Sequence, residues 1–560
     1  MNHRTFLKAL SLSFAALAFV GLPLCFAASQ GGNTLPPSSR TGSRPAVFRS
    51  REHCQPLPPP TGHIVTVSTV AELVDAVNNA RSGDTILLQD GTYNLDGLHL
   101  RFDTPNVTLR SASGNREAVI IDGNGSTTEI VQIVASDVTI ADVTLQRAYN
   151  HPIHVMSTAE AETTGTLIYN VHIIDPGEQA IKINPYTGED ARHFPDGGII
   201  ACSHIELTAA GRANIRNDCY TGGVDAHQAR DWIIRDNLIE GFWCTSGLAE
   251  HAVHFWRASR DTLVERNELR NNARGVGFGM ATEGDNLRTY ADHPCPQAGG
   301  YVDHYGGIVR NNIIFANDEE LFASEYGFDC GICLWNACGA RVLHNTVVST
   351  RPPFSSIEWR FERTEVAIVN NLLSHNLRDR GGTASLSGNL SGQPLSLFVD
   401  GNDGDLHLAD GANPAIDSVA LPPDVADDID GDARPIGPAA DVGADEYGIP
   451  APQAVRDLRV RRALTDATTL TATLTWSPPD GALTTTLRYT RGRITEENWA
   501  TATLLTDALT GAGGRYTATV PYAGGVVHFA LKTANEGGRS PLSNNGFWPA
   551  LRLCLPVILK

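Results

Sequence analysis

Seven short segments carry side chains able to do acid–base chemistry at a shared spacing: HPIHV (151–155), QAIKIN (179–184), GGVDAHQ (222–228), HAVHFW (251–256), RGVGFG (274–279), GICLW (331–335) and SSIEWR (355–360). Each alternates as a half-buried strand does, and Ile153, Ile181, Val224, Val253, Val276, Ile332 and Ile357 mark the inward side. One outward column then reads His154, Lys182, Asp225, His254, Gly277, Cys333 and Glu358. A second reads Asn184, His227, Trp256, Gly279, Trp335 and Arg360. With neighbouring strands about 4.8 Å apart, Lys182, Asp225, His227 and His254 fall within reach of one sugar unit. Gly277 and Gly279 leave an open floor beside them, Trp256 and Trp335 offer stacking faces, and His154, Asn184 and Arg360 extend the polar surface.

Cleaving a uronate chain by β-elimination needs a cation to neutralise the carboxylate, a base to take the acidified proton, and an acid to protonate the leaving oxygen. Lys182, His227 and His254 are chemically able to be base and acid. Asp225, with Glu250 or Asp218, could hold Ca²⁺ through hard oxygen ligands. The same column admits a glycoside hydrolase built on Asp225 and Glu250, a C5-epimerase that shares the proton abstraction, or a non-catalytic carbohydrate-binding solenoid. Lys, Asp and His concentrated in three consecutive segments favour an enzyme over a binding surface. Each residue also has a structural reading. Asp225 and His227 could cap a turn and pair with Arg230, His251 and His254 could be satisfied wall histidines, and Glu358 could pair with Arg360. A one-residue register shift would turn the whole set inward.

A repeating frame must position these strands. IIRDNLIE (233–240), LVERNELR (263–270), IVRNNIIF (308–315), VLHNTVVS (342–349) and AIVNNLLS (367–374) share one pattern, with Asn at 237, 267, 312, 345 and 371. Strands too short to pair locally, repeated at intervals of 26 to 45 residues, predict a stacked solenoid with loops inserted between coils. Asn at equivalent corners predicts a ladder that satisfies buried backbone from coil to coil. Upstream, Leu73, Val77 and Ala80 share a helical face that ends at Gly83-Asp84 before the strand Thr85–Leu88. The helical cap at 70–80, the GDTILLQDGTY entry, the corner Asn motifs and the exit DDIDGDARPIGPAADVGADEY (427–447) together resemble the right-handed parallel β-helix superfamily, which includes pectate, alginate and chondroitin lyases. The resemblance covers 63–447 and implies an all-β solenoid, a Lys or Arg base such as Lys182, and Ca²⁺. The short DIDGD run (428–432) reads as structural.

Beyond a break at 448–452, the stretches TATLTWSPPD, TTLRYTRG, YTATVPY and VHFALKTANEGGRSPLSN alternate as antiparallel sandwich strands. Over 452–545 they resemble a fibronectin type III domain. The tail 546–560 reads as a packed strand or a surface-sorting tag. Arg4 and Lys8, the apolar run to about Val20 and the exit at Ala27-Ala28 read as a signal peptide over 1–28, followed by a Pro/Gly/Ser-rich linker over 29–62. The expected protein is therefore secreted or on the cell surface, a monomer acting on an anionic polysaccharide.

The 560 residues include 43 basic and 62 acidic side chains, a net charge of −19, and no basic run, so nucleic acid is excluded as a partner. With 42% hydrophobic, 19% charged and 7% aromatic residues, the chain is neither disordered nor a coiled coil. No stretch after the signal peptide is apolar enough to span a bilayer. Nine cysteines remain after Cys25 is removed, an odd count in an exported chain, with Cys330, Cys333 and Cys338 close enough for a local disulfide.

Overall fold

The computed structural model describes residues 54–448 and, after them, 452–548 apart from 466–467, 480–481, 511–513 and 536–537. The expected signal peptide, much of the expected linker, Cys25, Cys554 and most of the tail lie outside the described residues.

Residues 64–387 form a parallel β-helix, and Phe398–Asp400 and Asp405–Leu408 pair antiparallel beyond it. Three long sheets, of 14, 10 and 10 strands, run along it, and successive coils add one strand to each. One coil illustrates the unit: Ile233–Arg235, Leu238–Glu240 and His251–Trp256 each pair in parallel with the equivalent strands before and after. Strands of three residues cannot hold together alone. They persist because each buries a central apolar residue against the same residue of its neighbours, as in the stacks Ile168–Ile200–Ile234–Val264 and Ile173–Ile205–Ile239–Leu269, all at most 1% exposed. Each such side chain contributes about 1.5–3 kcal/mol.

The corner between the first two strands of a coil is a two-residue bend. Asp236, Arg266, Asn311, His344 and Asn370 take positive φ there, and the next residue is the repeated Asn. Asn237, Asn267, Asn312, Asn345 and Asn371 form a continuous ladder, each side-chain amide donating to the next side-chain oxygen at 2.9 to 3.0 Å. Asn389 adds a sixth rung at 2.8 Å, one coil past the last repeat read from sequence. Upstream, Ser203 replaces Asn and accepts from the Val171 N–H.

The entry is covered by the helix Val70–Asn78, started by a capping box between Thr69 and Glu72. It buries Leu73, Ala76 and Val77. Ala80, expected on that face, lies beyond the helix end, because Asn79 already caps the last turn. Among the described residues no helix is long and apolar enough to cross a membrane.

The exit cap is acidic. His407 bridges Asp405 and Asp430, and Asp428 accepts the backbone N–H groups of Asp430, Asp432 and Glu446. Burial alone would lower the His407 pKa, but Asp405 and Asp430 outweigh it and push it up to about 11. Burial raises Asp441 to about 7. Both folded values exceed the unfolded ones, about 6.5 for His and 3.9 for Asp. Their stabilisation is therefore complete at low pH, and is lost as pH rises through about 7 for Asp441 and about 11 for His407. The urea midpoint is expected to fall steadily across that range, and His407→Gln to remove the alkaline part of the fall. A midpoint that rises with pH would contradict this account.

Past the helix, Arg459–Thr465, Thr469–Thr475 and Arg515–Pro521 form one antiparallel sheet. Thr484–Thr490, Thr503–Thr510, Val527–Asn535, Gly538–Arg539 and Gly546–Trp548 form another. Leu470, Leu474, Trp476, Leu487, Phe529 and Leu531 share one core. Among the described residues four disulfides are present: Cys54–Cys202, Cys219–Cys244, Cys295–Cys338 and Cys330–Cys333.

Candidate functional site

The sheet that holds the seven aligned strands pairs them in one register. Lys182 lies beside Asp225 and His154, Asp225 beside His254, His227 beside Trp256, and Trp335 beside Arg360. The inward alternates are all fully buried. The outward column is covered as well: His154, Lys182, Asp225, His254, Cys333 and Glu358 are each at most 8% exposed. Lys182, Asp225 and His254 meet one another, Tyr220 from the preceding loop lies on Lys182, and the rest are covered by neighbouring side chains, so the expected open groove is narrower than the strand pattern implies.

At its centre is a buried ion pair. Lys182 Nζ donates to Asp225 Oδ2 and, at 2.9 Å, to the Tyr220 hydroxyl. His227 Nε2 lies 3.3 Å from that Nζ and 3.5 Å from Asp225 Oδ2. Trp256 Nε1 donates to Asp225 Oδ1 at 2.7 Å, and its ring stacks on His254 and meets His227 edge-on. His254 Nδ1 is 3.7 Å from Asp225 Oδ1 and 3.3 Å from Glu250 Oε2. One carboxylate therefore organises a cation, two imidazoles and an indole.

Burial alone would lower the Lys182 pKa, but Asp225 and Tyr220 outweigh it and hold the ammonium above its ordinary value. Burial alone would raise Asp225, yet Lys182, His227 and His254 keep it well below the usual carboxylate range. Burial lowers His227 against the pull of Asp225, so its ring is neutral at pH 7. Burial and the Asp225 charge raise Tyr220, which keeps its proton. The site thus presents a fixed cation, a neutral imidazole and a protonated phenol in contact. Removing the indole donor with Trp256→Phe, which keeps the ring stack, leaves Asp225 Oδ1 short of a partner. It is expected to lower stability by about 1.5–3 kcal/mol in urea unfolding. An unchanged midpoint would mean this bond contributes nothing.

The other expected residues divide. His154 binds Glu129 at 2.6 Å and Asn184 at 3.1 Å, one coil away from the centre. Trp335, expected as a sugar platform, is buried and donates to Glu358 at 2.6 Å, so its face is packed rather than offered. Glu358 pairs with Arg380, not Arg360, whose guanidinium lies over the rings of Trp335 and Phe361. Gly277 is no open floor: the His251 ring occupies its place, and an added Cβ would come within 2.6 Å of it. Gly279 has positive φ and passes close under the Trp335 carbonyl. Arg230 pairs with Asp196 and Asp231, not with Asp225.

The Ca²⁺ ligand set of Asp225, Glu250 and Asp218 does not fit. Asp218 is exposed in a turn beside the Cys219–Cys244 disulfide, with Arg212 and Trp243. Both Asp225 oxygens are engaged by Lys182 and Trp256, and Glu250 faces two imidazoles. Ca²⁺ takes six to eight oxygens, and this cluster offers only the Glu250 carboxylate.

Sequence reasoning passed over Tyr220 and Arg257. Tyr220 precedes its strand in an irregular loop with no periodic signal, and Arg257 follows HAVHFW at a positive-φ bend, its guanidinium 5.8 Å from the Trp256 ring.

No family model matches the chain, and no curated protein matches it. Among solved structures it is similar to pectate lyase Pel9A, at 13% identity over 67% of this chain and 90% of that one, with a TM-score of 0.45. It is also similar to an alginate lyase from Paenibacillus sp. str. FPU-7 (14%, 59% and 98%, TM-score 0.37) and to polygalacturonase from Erwinia carotovora ssp. carotovora (12%, 59% and 96%, TM-score 0.32). These likenesses concern the course of the chain; the fold assignment itself rests on the strand pairing.

Proposed function

We propose that this chain is an exported carbohydrate-active enzyme, a polysaccharide lyase that cleaves a uronic-acid polymer by β-elimination. The observation that carries the reading is the contact of Lys182, Tyr220 and His227 around Asp225. His227, neutral and part-exposed, is the base that takes the proton beside the uronate carboxylate. Arg257, next to the Trp256 ring, neutralises that carboxylate. As the bond to the leaving oxygen breaks and the ring double bond forms, the Tyr220 hydroxyl supplies the proton. Lys182 replaces that proton through their hydrogen bond. Lys182 is thus the charge behind the acid rather than the base that the lyase resemblance implies. The segment 452–545 is a fibronectin type III-like spacer in this reading, and the substrate is a soluble or surface-bound anionic polysaccharide.

A hydrolase needs one of two carboxyls to retain its proton. Both candidates are held ionised: Asp225 by Lys182, and Glu250 by His251 and His254, which outweigh its burial. The test is ultraviolet absorbance of the mature protein with a panel of uronate polysaccharides. The conjugated double bond of a new chain end supports elimination. Reducing ends appearing without that absorbance would identify hydrolysis, and neither product across the panel would overturn the enzyme reading.

A further inference from the structure

Beside the Asp225 network, three residues gather polar atoms that meet chiefly one another and make no hydrogen bond. His251 and His254 are fully buried, their ring centroids 4.2 Å apart. Both ring nitrogens of His251, His254 Nδ1 and Glu250 Oε2 are buried without a hydrogen-bond partner among the described residues. Four such atoms in one place are costly, at about 1–3 kcal/mol each. Glu250 Oε2 lies 3.3 Å from His254 Nδ1 and 3.8 Å from His251 Nδ1. Ligands 2.0–2.1 Å from a tetrahedral ion stand roughly 3.3–3.5 Å apart, so the spacing is close to that of a coordination shell. His254 Nε2 lies 3.3 Å from the Gly279 carbonyl. That contact places the ring proton on Nε2 and leaves Nδ1 as a lone pair, as a backbone carbonyl does for a metal-bound imidazole.

We propose that Glu250, His251 and His254 form a site for a single divalent transition ion of the Zn²⁺ type, with one position left open for water or a substrate oxygen. Two imidazoles and one carboxylate suit such an ion and not Ca²⁺. Glu250 is the side chain through which the open position faces outward, being 16% exposed where the two histidines are closed. The inference goes beyond the polysaccharide reading, since occupancy is measured without any substrate.

Among the described residues two other groups could compete for an ion. In the cluster of His172, His204 and Glu206 on another sheet, both nitrogens of His172 and Nε2 of His204 already bind Glu117, Glu206 and Glu240. His407 is likewise held by Asp405 and Asp430. Neither leaves its coordinating atoms unpartnered.

The full mature chain, stripped with chelator, is titrated with Co²⁺ as a visible probe, and then with Zn²⁺ in competition. The expected result is d–d absorption from one bound Co²⁺ that Zn²⁺ displaces and excess Ca²⁺ does not. X-ray absorption of the Zn²⁺-loaded wild type is expected to count two imidazoles, a reading that needs no variant. Glu250→Gln and His251→Gln are expected to weaken binding by at least about 10–100-fold, while His204→Gln leaves it unchanged. No Co²⁺ absorption, displacement by Ca²⁺, fewer than two imidazoles, or loss of binding in His204→Gln alone would each overturn the proposal.

Discussion

His227→Ala is expected to lower turnover on a uronate polymer by about 10²–10⁴-fold, with little change in thermal unfolding. The ring is part-exposed, at 19% of its side-chain surface, and fills no core position. Its loss removes a neutral base without stranding a charge, because Asp225 keeps Lys182 and Trp256. The pH profile separates this role from a merely structural one. Burial lowers the His227 pKa, so the imidazole stays unprotonated below the ordinary value of about 6.5. The acid limb of kcat/KM is expected below that value in the wild type and is expected to vanish from the residual activity of His227→Ala. Tyr220→Phe, which keeps the ring but removes the proton donor, is expected to lower kcat with KM nearly unchanged. A His227→Ala enzyme within threefold of wild type would move the base elsewhere, with His254 the remaining imidazole beside Asp225.

The same residues show how far strand alternation reaches and where it stops. Ile153, Ile181, Val224 and Val253 could be aligned because only one register keeps every one of them inside, and the parallel sheet then had to bring Lys182, Asp225 and His254 side by side. Alternation says which face a side chain leaves from; it does not say what covers it there. Trp335 was assigned to the outward face, yet its indole is closed over by Arg360, Arg274 and Glu358. Tyr220 comes from an insertion between strands, where no period constrains direction, so its contact with Lys182 was not legible. The pairing of Glu358 with Arg380 was missed for a similar reason: the partner stands one coil further on, in Leu377–Arg380, a strand outside the aligned set. Pairings fixed by stacking were readable, and those fixed by loops and long flexible side chains were not.

Asn312→Ala is expected to lower stability by about 3–5 kcal/mol in urea unfolding. Asn312 stands mid-ladder and is fully buried. Its Oδ1 accepts both the backbone N–H and the side-chain amide of Asn267, and its Nδ2 donates to the Val264 and Arg310 carbonyls and to Asn345 Oδ1. Alanine strands two donors of the preceding coil and deprives acceptors on both sides, with no route for water into a closed stack. Each orphaned buried group costs about 1–3 kcal/mol, and the neighbouring rungs recover part of it by relaxing. Asn389→Ala provides the internal comparison. As the last rung it serves only Asn371 and Ile368, and it is part-exposed, so water can replace it. Its loss is expected to be about 1 kcal/mol. Position in the ladder, not the residue type, sets the size of the effect. Equal losses at the two positions would mean that the rungs act independently, and that the ladder is a row of separate turns rather than a continuous strut through the coils that carry Asp225 and His254.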